Sequence, residues 1–304
     1  MSRTKREKKS WKVWMKIFGI ILLIIILLVG GVLLFLVHQL RKGAEGRAVN
    51  QAAMVKSDEE LLGEHFYVPR QGLDPVDVNI YLPEDGENLP VVFNLHGGAF
   101  IAGDADTLDS QSLRLSQDWS AVIVTVNYKL AVDDITIEYG TQEVVDTVKY
   151  FLEHAEEYRI DPNKAVLLGY SAGGYHAAMA AHTLERAGID LAAQVLCYSF
   201  IGEVLDSFNA LSQEQQANLP ATLFVLADND PISDGSLGYE TALRGAGVNT
   251  EIKKYDGSIH GFLEENNPEY EDLPAGAASK SPEQEAMARN GEVYIGEWLA
   301  NNLQ

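Results

Sequence analysis

Two short segments hold residues whose types and spacing could do chemistry. The first is Leu167-Leu168-Gly169-Tyr170-Ser171-Ala172-Gly173-Gly174. A β-rich run leads into the serine, and the helix-competent Tyr175-His176-Ala177-Ala178-Met179-Ala180 follows. A serine on such a sharp strand-to-helix turn is held exposed in a strained backbone conformation, and small neighbours at 169, 173 and 174 let the turn close. The chemistry this suggests is nucleophilic attack by the Ser171 hydroxyl. The first amides of a helix have no partner within it, so the Ala172 N–H can stabilise an oxyanion. The second segment is Asn94-Leu95-His96-Gly97-Gly98-Ala99-Phe100, at the end of the apolar run Val91–Leu95. With no Cβ in the way, the N–H groups of Gly97 and Gly98 can approach a carbonyl oxygen, which makes Gly97, Gly98 and Ala172 the expected oxyanion hole. His96 is expected to brace this loop by a hydrogen bond rather than to act as a base.

The elements that must position these residues are legible as alternating patterns. Val76-Asp77-Val78-Asn79-Ile80-Tyr81 alternates as a half-buried strand and stops at Pro83 and the turn Glu84-Asp85-Gly86. Compact apolar runs follow at Val91–Leu95, Ala121–Val126, Ala165–Leu168, Ala193–Tyr198 and Thr222–Ala227. Helical patterns fall at about 138–157, 172–187, 237–246 and 283–299. Short apolar strands separated by helices are what a mostly parallel sheet covered on both faces requires. The expected fold class is a doubly wound α/β domain.

Composition narrows the functional classes. The formal charge of −21 is unevenly spread, because Arg3, Lys5, Arg6, Lys8, Lys9, Lys12 and Lys16 all precede residue 17 and leave the rest still more acidic. So acidic a domain repels phosphate backbones, which argues against nucleic-acid binding. Cys197 is the only cysteine, so no intramolecular disulfide can form, and its apolar run reads as a buried strand. No metal or other cofactor is expected. His176 and His182 fall on different faces of a helix, and His38, His65 and His154 lack neighbouring ligands at useful spacing. Ile17 to Val37 is free of charge, and twenty-one residues at about 1.5 Å each span about 31 Å, the thickness of a bilayer core. No small-residue cleavage site follows, so an uncleaved anchor is expected. The cations ahead of it place the N-terminus in the cytoplasm and the catalytic domain outside the cell, most simply a bacterial one. The expected organisation is a basic cytoplasmic segment 1–16, a transmembrane helix 17–37, a stalk and possible cap segment 38–75, and the catalytic domain 76–304.

Taken together, the H-G-G and G-x-S-A-G-G segments, Val126-Asn127-Tyr128-Lys129-Leu130-Ala131 and Tyr158-Arg159-Ile160-Asp161-Pro162-Asn163 resemble the hormone-sensitive-lipase group of α/β-hydrolases and the bacterial alpha/beta hydrolase carboxylesterases. The likeness runs from about residue 76 to 260. It implies the α/β-hydrolase fold and supplies two further site residues. The family's acid lies in a D-P-L segment, which Asp230-Pro231-Ile232 matches at Asp230, with Asp228 as a rival in the same loop. The family's base lies in H-G-F, which His260-Gly261-Phe262 matches at His260. In the mechanism this implies, His260 takes the Ser171 proton and returns it to the leaving alkoxide, while Asp230 fixes the imidazole tautomer.

Three departures from the pattern bear on specificity. Ala99 stands where many relatives have a third Gly, and Tyr170 where an acidic residue is common. The stretch between Tyr198 and Pro220 is short, whereas Glu264–Ser281 is a long insertion. Any cap must therefore come from residues 41–75 or 264–281. The expected activity is hydrolysis of short acyl or acetyl esters, including small-molecule or glycan esters, through an acyl-enzyme. The alternatives are a peptidase or amidase of the same fold and a catalytically silent binding protein. Protein partners, natural substrate and oligomeric state are not legible.

Overall fold

Eight strands rich in Val, Ile, Leu and Phe form a single mixed sheet in the computed structural model, which describes residues 55–270 and 280–303. They are β1 (Glu64–Val68), β2 (Val76–Tyr81), β3 (Leu89–Leu95), β4 (Val122–Asn127), β5 (Ile160–Tyr170), β6 (Ala193–Cys197), β7 (Ala221–Asn229) and β8 (Thr250–Ile259). Their order is β1-β2-β4-β3-β5-β6-β7-β8. β1 and β2 are antiparallel to their neighbours, and every pairing from β4 to β8 is parallel. The expected segment 17–37 lies outside the described residues; within them, no helix is long and apolar enough to cross a membrane.

Period-two alternation divides the strand side chains between two cores. Phe93, Val124, Leu167, Leu196 and Phe224 face one way; Val92, Ile123, Val166, Val195 and Leu223 face the other. The described helices are α1 (Asp109–Asp118), α2 (Ile137–Glu153), α3 (Ala172–Arg186), α4 (Val204–Asn209), α5 (Gln213–Ala217), α6 (Pro231–Asp234), α7 (Ser236–Gly245) and α8 (Pro282–Asn302). On the first face α2 contributes Val144, Val145, Val148 and Phe151 at helical spacing, and α3 contributes Ala177, Ala178, Ala180 and Ala181, whose small side chains let its axis come close to the sheet. Leu115 of α1 and Ile295, Trp298 and Leu299 of α8 cover the second face. Each large apolar side chain so buried stabilises the fold by about 1.5–3 kcal/mol, so the sheet is a stiff platform for the loops at its strand ends.

Two boundary expectations change. The sheet starts upstream of residue 76: β1 pairs along its whole length with β2, so residues 64–68 are part of the domain rather than of a stalk. The strand escaped notice because it is an edge, where Tyr67 is exposed and only Val68 is buried, leaving little apolar alternation to read. The first part of the 264–281 insertion, as far as Tyr270, is wall rather than lid. Glu264 and Asn267 are buried, and Glu269 accepts from Lys56 Nζ at 3.0 Å and from the Ser110 N–H at 3.1 Å. Residues 271–279 lie outside the described residues.

Candidate active site

The C-terminal ends of parallel strands are where helix N-termini and loops converge, and all the candidate residues lie there. Ser171 sits between the last residue of β5 and the first of α3, with φ 51° and ψ −111°. For a residue with a Cβ this left-handed backbone costs about 1–3 kcal/mol and persists only where the surroundings enforce it. Here the Ser171 N–H donates to the Cys197 carbonyl at 3.0 Å, and the Ser171 carbonyl accepts from the Phe200 N–H at 3.1 Å. The glycines around it are needed for space. A Cβ on Gly169 would come within 2.3 Å of the Gly173 carbonyl oxygen, one on Gly173 within 2.2 Å of the Leu95 oxygen, and one on Gly174 within 1.8 Å of Ser199 Oγ.

Three residues separated widely in sequence meet at this turn. His260, directly after β8, places Nε2 2.8 Å from Ser171 Oγ. Its Nδ1 lies 2.7 Å from Asp230 Oδ2. Asp230 follows β7 and caps α6, its Oδ1 accepting from the Ile232 N–H at 3.0 Å. Its side chain is almost wholly buried, while the His260 side chain remains partly open to solvent. The carboxylate is therefore fixed by backbone, the imidazole by the carboxylate, and the hydroxyl faces the imidazole. Asp228, the rival acid, points elsewhere. It is paired with Lys254 at 2.9 Å and accepts from the Gly257 N–H, and those contacts hold its carboxyl below its usual range.

The oxyanion loop follows β3. His96 is fully buried and stacked on Tyr128 at 4.3 Å, with Nδ1 2.6 Å from the Gly97 carbonyl oxygen. Burial pushes its pKa down to about 4, so it stays neutral and braces the loop. Tyr128, from the Tyr-Lys-Leu-Ala segment, donates its hydroxyl to the His96 carbonyl at 2.6 Å, and the Ala131 N–H donates to the Phe100 carbonyl at 2.7 Å. Ala99 and Phe100 both have positive φ, 54° and 68°, which accounts physically for glycine being favoured at position 99. One expectation needs correction. The Gly97 N–H donates to Glu264 Oε2 at 2.9 Å and is therefore not turned to a substrate oxygen. No acceptor within the described residues meets the N–H of Gly98 or Ala172.

Glu264 is marked by no sequence motif. It is buried, and burial pushes its carboxyl up to about 8 against the lowering effect of the Gly97 N–H. Its sequence signal is slight: an acidic residue directly after the apolar Phe262-Leu263. Tyr170, in place of an acidic residue, is buried and donates to Gln111 Oε1 at 3.2 Å. The Cys197 thiol is buried and pushed well above its ordinary range, so it is no second nucleophile. His176 and His182 are buried and held neutral near about 3 by desolvation. Within the described residues, no group of three His, Cys, Asp or Glu side chains is placed to hold a metal ion.

Comparison with known proteins agrees with this architecture. A family model for the alpha/beta hydrolase fold matches residues 92–216 and 203–264, and the chain belongs to that family. The chain is 27% identical over 222 residues to an arylesterase of Saccharolobus solfataricus, covering 61% of this chain and 72% of that protein. It is 29% identical over 266 residues to the carboxylesterase NlhH of Mycobacterium tuberculosis, covering 72% of this chain and 83% of that one. Among solved structures, an esterase of Pyrobaculum calidifontis superposes with a TM-score of 0.65 at 22% identity, covering 86% of this chain and 92% of that one.

Proposed function

We propose that the chain is a serine carboxylesterase that hydrolyses short-chain acyl or acetyl esters through an acyl-enzyme, with Ser171 as nucleophile, His260 as general base and acid, and Asp230 as its orienting carboxylate. The observation that carries the reading is the continuous line from Asp230 through His260 to Ser171, with contacts of 2.7 and 2.8 Å. As Ser171 Oγ attacks the ester carbonyl carbon, its proton passes to His260 Nε2 and the carbonyl oxygen becomes an oxyanion. Collapse breaks the bond to the alkoxide, which takes the proton from His260. Water then repeats the sequence on the acyl-enzyme, releasing the acid and restoring Ser171. Buried Asp230 stabilises the transient imidazolium and keeps Nε2 available as acceptor.

A cleft of about 420 Å³ supports a small apolar substrate group; its lining includes Phe200, Ile201, Leu205, Pro231, Ile232 and Tyr239. It adjoins the site in the chain: Phe200 donates its N–H to Ser171, and Pro231 and Ile232 follow Asp230. That volume is near the low end for small-molecule pockets. The names of the arylesterase and carboxylesterase relatives point to the same substrate class. The apolar segment 17–37 and its preceding cations support anchorage at a bacterial cell membrane with the catalytic domain outside.

A panel of p-nitrophenyl esters of graded acyl length, run beside the matching anilides on the full chain in detergent, tests the activity. Turnover that peaks at acetyl to butyryl esters supports the reading. Preference for the anilides, or no turnover of any ester, overturns it. Proteolysis of the domain on intact cells tests the topology, and protection that disappears only on lysis would contradict it.

A further inference from the structure

We propose that Glu264 is a positioning residue for ester hydrolysis: by fixing the Gly97 N–H it sets the oxyanion loop so that Gly98 and Ala172 form the donor pair for the substrate oxygen. This rests on the reading of Ser171 as nucleophile.

Gly97 is held on both sides. Its N–H donates to Glu264 Oε2 at 2.9 Å, and its carbonyl accepts from His96 Nδ1 at 2.6 Å. The next peptide, which carries the Gly98 N–H, therefore has its plane fixed from one end. At its other end Gly98 adopts φ +127°, and its carbonyl accepts from the Ile101 and Ala102 N–H groups at 3.2 and 3.0 Å. A Cβ at 98 would fall 1.8 Å from the Ala102 oxygen. Position 97 needs glycine for another reason: a Cβ there would fall 2.4 Å from Glu264 Oε1, so its absence is what admits the carboxyl.

Glu264 is also tied to the base. It follows His260 by four residues, and its N–H donates at 3.2 Å to the hydroxyl of Tyr198, whose ring packs 5.1 Å from that of His260. One residue thus joins the two loops, its backbone N–H on the side of the base and its carboxyl on the side facing the oxyanion. No cation is paired with this buried carboxyl within the described residues. Burying a carboxyl without a cation is unfavourable, and among the described residues the hydrogen bond that offsets this on its side chain is the one from the Gly97 N–H. Preorganised donors aimed at developing charge lower the barrier without strengthening ground-state binding, so loosening the loop should lower kcat and spare KM.

The test compares Glu264→Gln with Glu264→Met in the full chain, each checked for folding by near-UV circular dichroism. Glutamine keeps a carbonyl acceptor for the Gly97 N–H; methionine fills the volume without one. The expected result is kcat for the Gln variant within about threefold of the parent and a fall of about 10- to 100-fold for the Met variant, below the loss from deleting a donor outright, with KM changed less than about threefold in both. Should the Met variant not fold, Gly97→Ala breaks the same contact from the other side and should show the same loss in kcat. An unchanged kcat in a folded Met or Ala variant, equal losses in Gln and Met, or a change confined to KM would overturn the proposal. Stoichiometric fluorophosphonate labelling of Ser171 in the parent separates this outcome from failure of the esterase reading, which would leave the parent unlabelled and inactive.

Discussion

Raising the pH should destabilise the wild-type domain relative to Glu264→Gln, by an amount that follows from the position of one carboxyl. Glu264 is buried, and its pKa stands at about 8 against an ordinary 4.5. Below about 4.5 the folded and unfolded chains both hold this proton, so the group is neutral to stability. Between about 4.5 and 8 the folded state keeps a proton that the unfolded chain has released, and stability falls as pH rises. Above about 8 the folded state must bear the buried charge, and the full loss remains. Each pH unit of that interval is worth about 1.4 kcal/mol, so the whole is on the order of 5 kcal/mol. A domain of this size loses about 2–4 °C of Tm per kcal/mol, which makes the expected separation about 10–20 °C. Thermal melts of the two proteins from about pH 5 to about pH 9 make the comparison, since groups other than Glu264 titrate alike in both and cancel. The Gln variant should lack the slope that wild type shows. Parallel Tm curves for the two would refute the reasoning, because they would mean that Glu264 gains and loses its proton no differently when folded.

Two further outcomes follow from the site. Asp230→Asn should cost roughly 10⁴ in turnover by leaving the imidazole in the wrong tautomer, whereas Asp228→Asn, at a carboxylate that meets Lys254 and the Gly257 amide, should stay within about tenfold of wild type; kcat/KM of the purified variants decides between them. Gly174→Ala should abolish activity and lower Tm, since its Cβ would meet Ser199 Oγ at 1.8 Å; a variant with native Tm and rate would show that the elbow is looser than its contacts imply.

The sheet and the turn that carries Ser171 are legible because each rests on a local signal. Val91–Leu95, Ala193–Cys197 and Thr222–Ala227 are apolar runs of strand length, and the glycines at 169, 173 and 174 announce a turn too tight for a Cβ. Asp230 and His260 came from resemblance, not spacing, and the structure brings both to Ser171. What escaped was long-range or weakly patterned. The contact of Glu264 with Gly97 spans 167 residues and leaves no periodic trace, so the sequence offers Gly97 as an oxyanion donor although its N–H is already engaged. β1 escaped because an edge strand with one buried residue has no apolar face to display.

The central claim, that Ser171 is an activated nucleophile, is tested most directly by replacing it and measuring ester hydrolysis. Ser171→Ala removes one hydroxyl from a residue that is only 8% exposed and keeps its Cβ in place, so the fold should be retained. The rate on a p-nitrophenyl acetate substrate should fall by about four orders of magnitude, leaving only what binding and the oxyanion donors supply. A folded Ser171→Ala protein that keeps more than about a tenth of the wild-type rate would contradict the account.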